Sequence, residues 1–254
     1  MRSNRFHTQV ALVTGGGTGL GRAAARAFAR EGATVAVAGR TAAALDQTVT
    51  LIEQDGGRAS AITADVTNED DAARMVATTV QRHGGLHIAL NNAGTFGQAA
   101  PLADLDADTW RTAIDTNITG VFLAMKHEIR HMRDHGGGAI VNTSSNIGAH
   151  IRLPGLSPYA SSKAAVSTLT RAAALDHIGD GIRINAVSPG ASDGPMSFLP
   201  GETREQRDAR LTPDIPLGRV GTLAEVTATV LWLASTEAGF AVGHDLVIDG
   251  GASA

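Results

Sequence analysis

Apolar and polar positions alternate along the chain in a pattern that predicts short strands separated by helices. The strand candidates are rich in β-branched and aliphatic residues, a composition that suits a buried, pleated surface. They are Val10–Thr14, Thr34–Ala38, Ser60–Thr63, Ile88–Asn91, Ala139–Thr143, Ile182–Val187 and Leu246–Ile248. Between them, apolar residues recur at helical spacing. The helix candidates are Gly19–Arg30, Thr41–Gln54, Glu69–Arg82, Asp108–His135, Tyr159–Ile178 and Leu223–Ser235.

This alternation predicts the fold class. Strand–helix–strand units with right-handed crossovers place helices on both faces of a mostly parallel sheet. We therefore expect an α/β protein with a doubly wound, seven-stranded sheet, which is a Rossmann fold. No Pro/Gly/Ser-rich linker divides the chain, so residues 1–254 are expected to form one domain. The least regular stretch, 190–218, is interpreted as a substrate loop.

Composition and charge narrow the classes of function. The chain has 254 residues, 21 Lys+Arg against 25 Asp+Glu, a net charge of −4 and no cysteine. This mildly acidic balance gives no electrostatic reason to expect nucleic acid or an anionic membrane as partner. The lack of cysteine excludes disulfides and a cysteine nucleophile. The polar start, Met1–Gln9, and the absence of a long apolar run predict a cytoplasmic protein.

A glycine-rich turn after the first strand candidate predicts a dinucleotide site. Thr14 leads into Gly15-Gly16-Gly17-Thr18-Gly19-Leu20-Gly21, and a predicted helix follows. Glycines let the backbone approach a pyrophosphate, and the start of a helix offers free N–H groups and a positive dipole end. The spelling is T-G-x-x-x-G-x-G rather than G-x-G-x-x-G. Without its strand and helix, such a cluster would also fit a flexible turn.

The end of the second strand candidate indicates the type of cofactor. An acid there binds the ribose 2′-hydroxyl of NAD, whereas an arginine accepts the 2′-phosphate of NADP. This chain has Gly39 where the acid would stand, and Arg40 follows it. NADP(H) is therefore favoured. NAD(H) is the alternative, because Arg40 would also suit a surface position and the glycine turn carries no basic residue.

A tyrosine and a lysine are candidates for acid–base chemistry. Tyr159 and Lys163 stand four positions apart at the start of a predicted helix, so they share one face. An ammonium group beside a phenol, together with a positively charged nicotinamide, stabilises the phenolate and lowers the pKa of the phenol. Taken alone, this spacing also fits an ordinary surface pair.

Ser144 and Ser145 follow the strand Ala139–Thr143, and neighbouring positions of an extended strand face opposite sides. One of the two hydroxyls is therefore a candidate to hydrogen-bond a substrate carbonyl or alkoxide.

Together these motifs resemble the short-chain dehydrogenase/reductase family over nearly the whole chain. The matching segments are Thr14-Gly15 with Gly19-x-Gly21, Asp65-Val66, Asn91-Asn92-Ala93-Gly94, Ser145-x-x-Gly148, Tyr159-x-x-x-Lys163 and Ser188-Pro189-Gly190. The resemblance implies that a nicotinamide cofactor exchanges a hydride with a ketone or a secondary alcohol. Ser145 would polarise the carbonyl, Tyr159 would move the proton and Lys163 would assist it. Asn117 would hold a water in a proton path.

The resemblance also implies a set of cofactor contacts. They come from Gly15, Gly17, Thr18, Gly19, Leu20, Gly21, Arg40, Asp65, Val66, Asn92, Ala93, Gly94, Tyr159, Lys163, Pro189, Gly190 and Ser192. The chain departs from the family after Gly190, because Ser192 and Gly194 occupy the usual isoleucine and threonine positions. The threonine contact to the nicotinamide carboxamide is therefore lost.

The environment of Asn117 is predicted from helical periodicity. It lies within the candidate helix Asp108–His135, whose buried stripe is expected to carry several large apolar side chains. These are Trp110, Ile114, Ile118, Val121 and Phe122. A satisfied buried amide is the alternative interpretation of this asparagine.

Several alternatives stay open at this stage. His127, His131 and His135 share a helical face, but no clear carboxylate pattern accompanies them, so no metal is expected. The favoured function is that of an alcohol dehydrogenase or carbonyl reductase, a class that includes 3-oxoacyl thioester reductases. An epimerase or dehydratase, and a cofactor-binding regulatory protein without turnover, are the alternatives. The resemblance further implies a homo-oligomer, a tetramer or a dimer, and a small-molecule substrate that the sequence does not identify.

Overall fold

A seven-stranded parallel sheet forms the centre of the protein in the computed structural model, which describes residues 4–254. Of the polar start, residues 1–3 lie outside the described residues. The strands are β1 (Val10–Thr14), β2 (Thr34–Gly39), β3 (Arg58–Thr63), β4 (Ile88–Asn91), β5 (Gly138–Thr143), β6 (Ile182–Pro189) and β7 (Asp245–Ile248). Their order is β3-β2-β1-β4-β5-β6-β7, and every neighbouring pair is parallel. The predicted fold class is confirmed.

Eight α-helices of the described chain connect and cover these strands. They are α1 (Gly19–Arg30), α2 (Ala42–Gln54), α3 (Glu69–His83), α4 (Ala107–Ile114), α5 (Gly120–Asp134), α6 (Ser157–His177), α7 (Arg204–Leu211) and α8 (Leu223–Ala234). One apolar cluster joins α3, α5 and α6 to the sheet, and a second joins α1, α2 and α8. Successive β1 residues Leu12 and Val13 enter different clusters. Both faces of the sheet are therefore buried, which explains the continuous apolar strands.

The long helix predicted over Asp108–His135 is interrupted. A π-helical segment, Asp115–Thr119, separates α4 from α5 and contains the fully buried Asn117. The predicted buried stripe is wrong at two positions, since Trp110 is 39% and Phe122 is 48% exposed. A π-helical turn holds more residues than an α-helical turn, so one 3.6-residue period does not describe the faces on both sides of it.

The irregular stretch 190–218 contains a helix that the sequence pattern did not predict. α7 begins with a capping box in which Thr203 and Gln206 satisfy each other's backbone N–H groups. Its sequence, REQRDARL, is polar on almost every side, so it shows no apolar stripe that would reveal a helix. Between residues 4 and 254, no helix combines the length and the apolar character needed to cross a bilayer.

Candidate active site

The residues singled out by the sequence gather at the carboxyl edge of the sheet. Gly15 follows β1, Arg40 follows β2, Asn92 follows β4 and Ser145 follows β5 soon after its end. Because all strands are parallel, these ends meet along one edge. From β1 the chain adds strands toward one edge of the sheet, and from β4 it adds them toward the other edge. The neighbours β1 and β4 therefore mark the point where the strand order reverses, and α/β sheets open a crevice at such a point.

The glycine turn has a shape that suits a pyrophosphate. A Cβ on Gly21 would lie 2.2 Å from the carbonyl oxygen of Gly15, so the turn closes only with glycine there. Gly15 and Gly19 adopt φ values of +63° and +50°, the left-handed region that favours glycine. The residue before α1, Thr18, makes no side-chain capping bond, so the first N–H groups of the helix are not occupied by it. These groups are the usual ligands of a phosphate.

Two side chains outside the predicted set brace this turn. The Thr48 hydroxyl on α2 donates to the carbonyl oxygen of Gly16 at 2.9 Å, and it accepts from Arg22 Nε at 3.0 Å. Arg22 Nη2 in turn donates to the carbonyl oxygen of Gly17. No motif reveals Arg22 or Thr48, because their contact joins two helices that are adjacent only in the folded chain.

The turn is also joined to the segment after β4. The Thr14 hydroxyl accepts from the backbone N–H groups of Asn92 at 3.0 Å and Ala93 at 3.1 Å. The Asn92 amide donates to the carbonyl oxygen of Thr14 at 3.2 Å. The two segments that the family resemblance assigns to the cofactor are thus built as one unit.

The residues expected beside the adenosine half differ in their availability. Arg40 is exposed, and within residues 4–254 it forms no hydrogen bond or ion pair. In contrast, Asp65 Oδ1 accepts from the backbone and hydroxyl of Thr67 at 3.0 and 2.8 Å. Val66 is buried against Gly120, where a Cβ would lie 2.8 Å from Val66 Cγ2. Arg40 is therefore the free charged group of this region.

Tyr159, Ser145 and Lys163 come together at the start of α6. The Tyr159 hydroxyl lies beside Ser145, close enough for Ser145 to act on the pKa of the phenol, and both residues are buried. The Lys163 ammonium lies 5.9 Å from the centroid of the Tyr159 ring and donates to the carbonyl oxygen of Thr143 at 2.7 Å. Ser144 faces the other way, since its hydroxyl donates to the carbonyl oxygen of Lys163 at 2.8 Å. The arrangement of the two serines agrees with the preference for Ser145.

Burial dominates the titration of this cluster. It lowers the pKa of the Lys163 ammonium to about 8. It raises the pKa of the Tyr159 phenol, and only the hydrogen bond from Ser145 opposes that shift. The sequence interpretation expected the lysine to lower the phenol pKa, and the protein alone gives the opposite direction. The physical reason is that desolvation disfavours the phenolate, while the ammonium is bound to a backbone oxygen.

Asn117 connects the π-helical segment to this cluster. Its Oδ1 accepts from the N–H of Thr95 at 2.7 Å, and its Nδ2 donates to Thr95 O at 2.9 Å and to Ser162 Oγ at 3.0 Å. A Cβ on Gly94 would lie 3.2 Å from Asn117 Oδ1 and 3.5 Å from Lys163 Nζ. Asn117 is thus a satisfied buried amide next to the lysine, and its role toward a water stays a prediction.

Phe96 is a part of the site that the sequence did not indicate. Its ring centroid lies 4.6 Å from that of Tyr159, with the two planes tilted by 40°. It is the second residue after the Asn-Asn-Ala-Gly segment, and an isolated phenylalanine in an irregular stretch carries no periodic signal. The ring gives the neighbourhood of the phenol an apolar wall.

The segment after β6 passes back to the glycine turn. The N–H of Gly190 donates to Ile248 O at 2.9 Å, and Ser192 pairs with Gly221 in an isolated parallel bridge. Farther on, Pro195 Cδ lies 3.1 Å from the position that a Cβ on Gly19 would occupy. We call residues 189–195 the crossing segment. It contains Pro189, Gly190 and Ser192, which the sequence analysis assigned to the cofactor.

The histidines of the chain do not form a metal site in the part that the structure describes. No three His, Asp or Glu side chains converge there as metal ligands. The rings of His131 and His135 stack with centroids 4.1 Å apart, and His135 Nδ1 bonds to the carbonyl oxygen of His131. His150 pairs with Asp245, with 3.0 Å between Nε2 and Oδ2.

Comparisons with known proteins place this site in context. The family model described as Enoyl-(Acyl carrier protein) reductase matches residues 15–253. Cis-4-hydroxycyclohexanecarboxylate dehydrogenase of Sinomonas cyclohexanicum is 40% identical over 98% of this chain and 98% of that protein. Cyclohexanol dehydrogenase of Acinetobacter sp. (strain SE19) is 38% identical over 98% of this chain and 96% of that protein. The solved structure of a short-chain type dehydrogenase/reductase from Mycobacterium marinum has a TM-score of 0.89 at 38% identity, covering 98% and 96% of the two chains.

Proposed function

Because the chain belongs to the short-chain dehydrogenase/reductase family, we propose that it is an NADP(H)-preferring enzyme that interconverts alicyclic secondary alcohols and ketones. It is an NAD(P)(H)-dependent oxidoreductase acting on alcohols and ketones, as its relatives are. The observation that carries the proposal is the cluster of Tyr159, Ser145 and Lys163 next to the glycine turn. The regulatory alternative would be supported by damage to this cluster, and the cluster is intact.

The roles of the side chains follow from their contacts. A bound nicotinamide cofactor supplies or accepts the hydride. Ser145 and Tyr159 lie side by side, so one substrate oxygen placed between them can bond to both hydroxyls. Ser145 then stabilises charge on that oxygen, and Tyr159 gives or takes its proton. Lys163 is buried beside the phenol, and its positive charge favours the phenolate form.

The preference for NADP(H) rests on Arg40. Its guanidinium is exposed and unpaired within the described chain, and Gly39 before it supplies no carboxylate. A planar guanidinium can donate two hydrogen bonds to one phosphate, which suits the 2′-phosphate of NADP. A carboxylate at this position would be expected for NAD instead.

The substrate class is supported by the apolar wall and by the relatives. The ring of Phe96 packs against Tyr159, and the large apolar side chains of Leu153, Met196 and Leu199 are exposed. Apolar groups around a few polar ones favour a compact, mainly hydrocarbon substrate. Two relatives are named for six-membered alicyclic alcohols. A 3-oxoacyl thioester is the second candidate, because a relative that is 36% identical over 97% of this chain is named a 3-oxoacyl-[acyl-carrier-protein] reductase.

The proposal further includes that the protein is cytoplasmic and that its chains associate as a homo-oligomer. Leu175 is 79% exposed at the end of α6, and Phe240 is 105% exposed after α8. Large apolar side chains on a surface favour contact with another chain, here a second copy. Light scattering during size-exclusion chromatography would measure this, and a monomer at micromolar concentration would contradict it.

The test of the proposed reaction is a paired activity measurement. Purified protein is given NADPH or NADH with cyclohexanone, an aldehyde and a 3-oxoacyl thioester, and cofactor oxidation is followed at neutral pH. The Tyr159→Phe variant keeps the ring against Phe96 but removes the proton donor, so we expect turnover to fall at least a hundredfold while cofactor binding changes little. Retention of more than a tenth of the activity would remove Tyr159 from the acid–base role. Faster use of NADH than NADPH would contradict the cofactor preference.

A further inference from the structure

A buried arginine holds the crossing segment from behind. Arg207 lies on the polar helix α7, yet the residue is only 1% exposed. Its Nη1 donates to Asp193 Oδ1 at 3.0 Å and to Ser197 Oγ at 3.0 Å, and its Nε donates to Asp208 Oδ1 at 2.8 Å. The guanidinium carbon lies 4.5 Å from the ring centroid of Phe198. Burial of a guanidinium costs little free energy only where hydrogen-bond partners replace the water that it loses. The carboxylates of Asp193 and Asp208 and the hydroxyl of Ser197 replace that water here.

Asp193 is the point where this arginine meets the crossing segment. Its second carboxylate oxygen accepts from Arg204 Nη1 at 2.6 Å, so α7 binds both oxygens. Hydrogen bonds from Arg204 and Arg207 hold the pKa of the Asp193 carboxyl below its usual value, which keeps the ion pair charged. On the backbone side, the Asp193 N–H donates to Gly221 O at 2.8 Å. The segment is fixed through its backbone and its side chain together.

The other side of the crossing segment faces the site. Ser192 and Gly194 flank Asp193, and they occupy the positions where the family carries isoleucine and threonine. Pro195 then reaches Gly19 of the glycine turn. Gly194 offers no side chain that could bind the cofactor, so any contact from this position has to come from the backbone. Such a contact depends on where the backbone of the crossing segment lies. That placement depends on the bonds made by Asp193.

We propose that Arg207 is a positioning residue, which acts through Asp193 to hold the crossing segment against the glycine turn and thereby sets cofactor affinity and turnover. This inference rests on the proposed function, since it takes the crossing segment as the neighbour of the nicotinamide. Arg207 touches neither the phenol nor the glycine turn, so its effect is transmitted by the ion pair. A helix that the sequence pattern did not predict would then contribute to the chemistry.

The experiment uses the full chain and a matched control on the same helix. The variants are Arg207→Gln, Asp193→Asn, the double variant and Arg207→Lys. The control is Arg210→Gln, whose side chain is 36% exposed and binds Glu202 at 2.7 Å and the carbonyl oxygen of Ser197 at 2.9 Å, but makes no bond to Asp193. Direct fluorescence titration measures the dissociation constants of NADPH and NADH. Steady-state kinetics with cyclohexanone give kcat and KM, and thermal unfolding gives Tm.

The proposal predicts a specific pattern of losses. Arg207→Gln and Asp193→Asn should each weaken binding of the preferred cofactor at least tenfold and lower kcat, and the double variant should be no worse than Asp193→Asn, which by itself already removes the bonds to Arg204 and Arg207. Arg207→Lys should be intermediate, because it keeps the charge and loses the planar fork. Arg210→Gln should stay within twofold of the parent protein.

Two results would overturn the proposal. One is an Arg207→Gln variant with a lowered Tm but with kcat and cofactor affinity within twofold, which would make the role purely structural. The other is a double variant whose losses add. If Arg207→Gln does not fold, Asp193→Asn decides, since it leaves Arg207 paired with Asp208. If the parent protein reduces no ketone, the proposed function fails, while the cofactor titration still tests the positioning role.

Discussion

At the scale of single residues, the proposed preference for NADP(H) depends on one exposed charge, that of Arg40. Arg40→Asp would remove the expected ligand of the 2′-phosphate and place a carboxylate next to Gly39, the position where an acid would bind the 2′-hydroxyl of NAD, and this carboxylate would repel the phosphate of NADP. Because a charge-assisted pair to phosphate is among the stronger hydrogen bonds, we expect the NADPH to NADH ratio of kcat/KM to fall by roughly tenfold to a hundredfold. Arg58→Asp is the control, since Arg58 is exposed at the amino end of β3, away from the site. An unchanged ratio in Arg40→Asp would make Arg40 an ordinary surface residue.

At the scale of elements, the packing of α2 on the glycine turn is the feature that can be tested. Thr48→Val keeps the shape of the side chain, but it leaves Gly16 O without its donor and Arg22 Nε without its acceptor. We expect a loss of about 1–2 kcal/mol in the free energy of unfolding, together with weaker cofactor binding. Urea unfolding and fluorescence titration measure the two effects.

The matched control for this element lies on the same helix. Thr50 is exposed, and its hydroxyl donates only to Asp46 O of its own helix at 3.0 Å. Thr50→Val should change neither the free energy of unfolding nor the cofactor affinity appreciably. Equal effects of both substitutions would mean that the bond to the glycine turn contributes nothing specific.

At the scale of the whole molecule, a buried acid under the sheet makes stability depend on pH. Glu128 is 0% exposed, accepts from Asn91 Nδ2 at 3.0 Å, and has no partner for Oε1 within the described residues. Burial raises its pKa from 4.5 to about 7. The folded state therefore binds this proton more tightly than the unfolded state does. The stabilisation is complete below pH 4.5 and is lost as pH rises through 7, by about 3 kcal/mol.

Comparison of unfolding between pH 4.5 and pH 8 tests this linkage. Glu128→Gln cannot titrate, so the difference in unfolding free energy between the parent protein and this variant should move by about 3 kcal/mol across that range, in the direction that favours the parent at low pH. Glu53→Gln is the control, because Glu53 is exposed on α2. A difference that stays constant with pH would show that Glu128 does not titrate in this range.

The sequence by itself determined the seven strands, most of the helices and the order of these elements. Apolar runs and helical spacing are properties of consecutive residues, so β1 and α1 were predicted with the bounds that the structure has. The order of strands and helices then required a parallel, doubly wound sheet. The glycine turn and the Tyr159–Lys163 pair were also legible, because each depends on residues within one or two turns of chain.

Only the tertiary structure decided which distant residues meet. Phe96 lies against Tyr159 across a long stretch of sequence, and Arg207 meets Asp193 through a helix that is polar on almost every side. The burial of Glu128 and the π-helical turn at Asn117 likewise depend on neighbours from other elements. A periodic pattern records which face of an element is apolar, but it does not record which partner covers that face. Long-range contacts of single polar side chains leave no such pattern, so they became visible only in the folded chain.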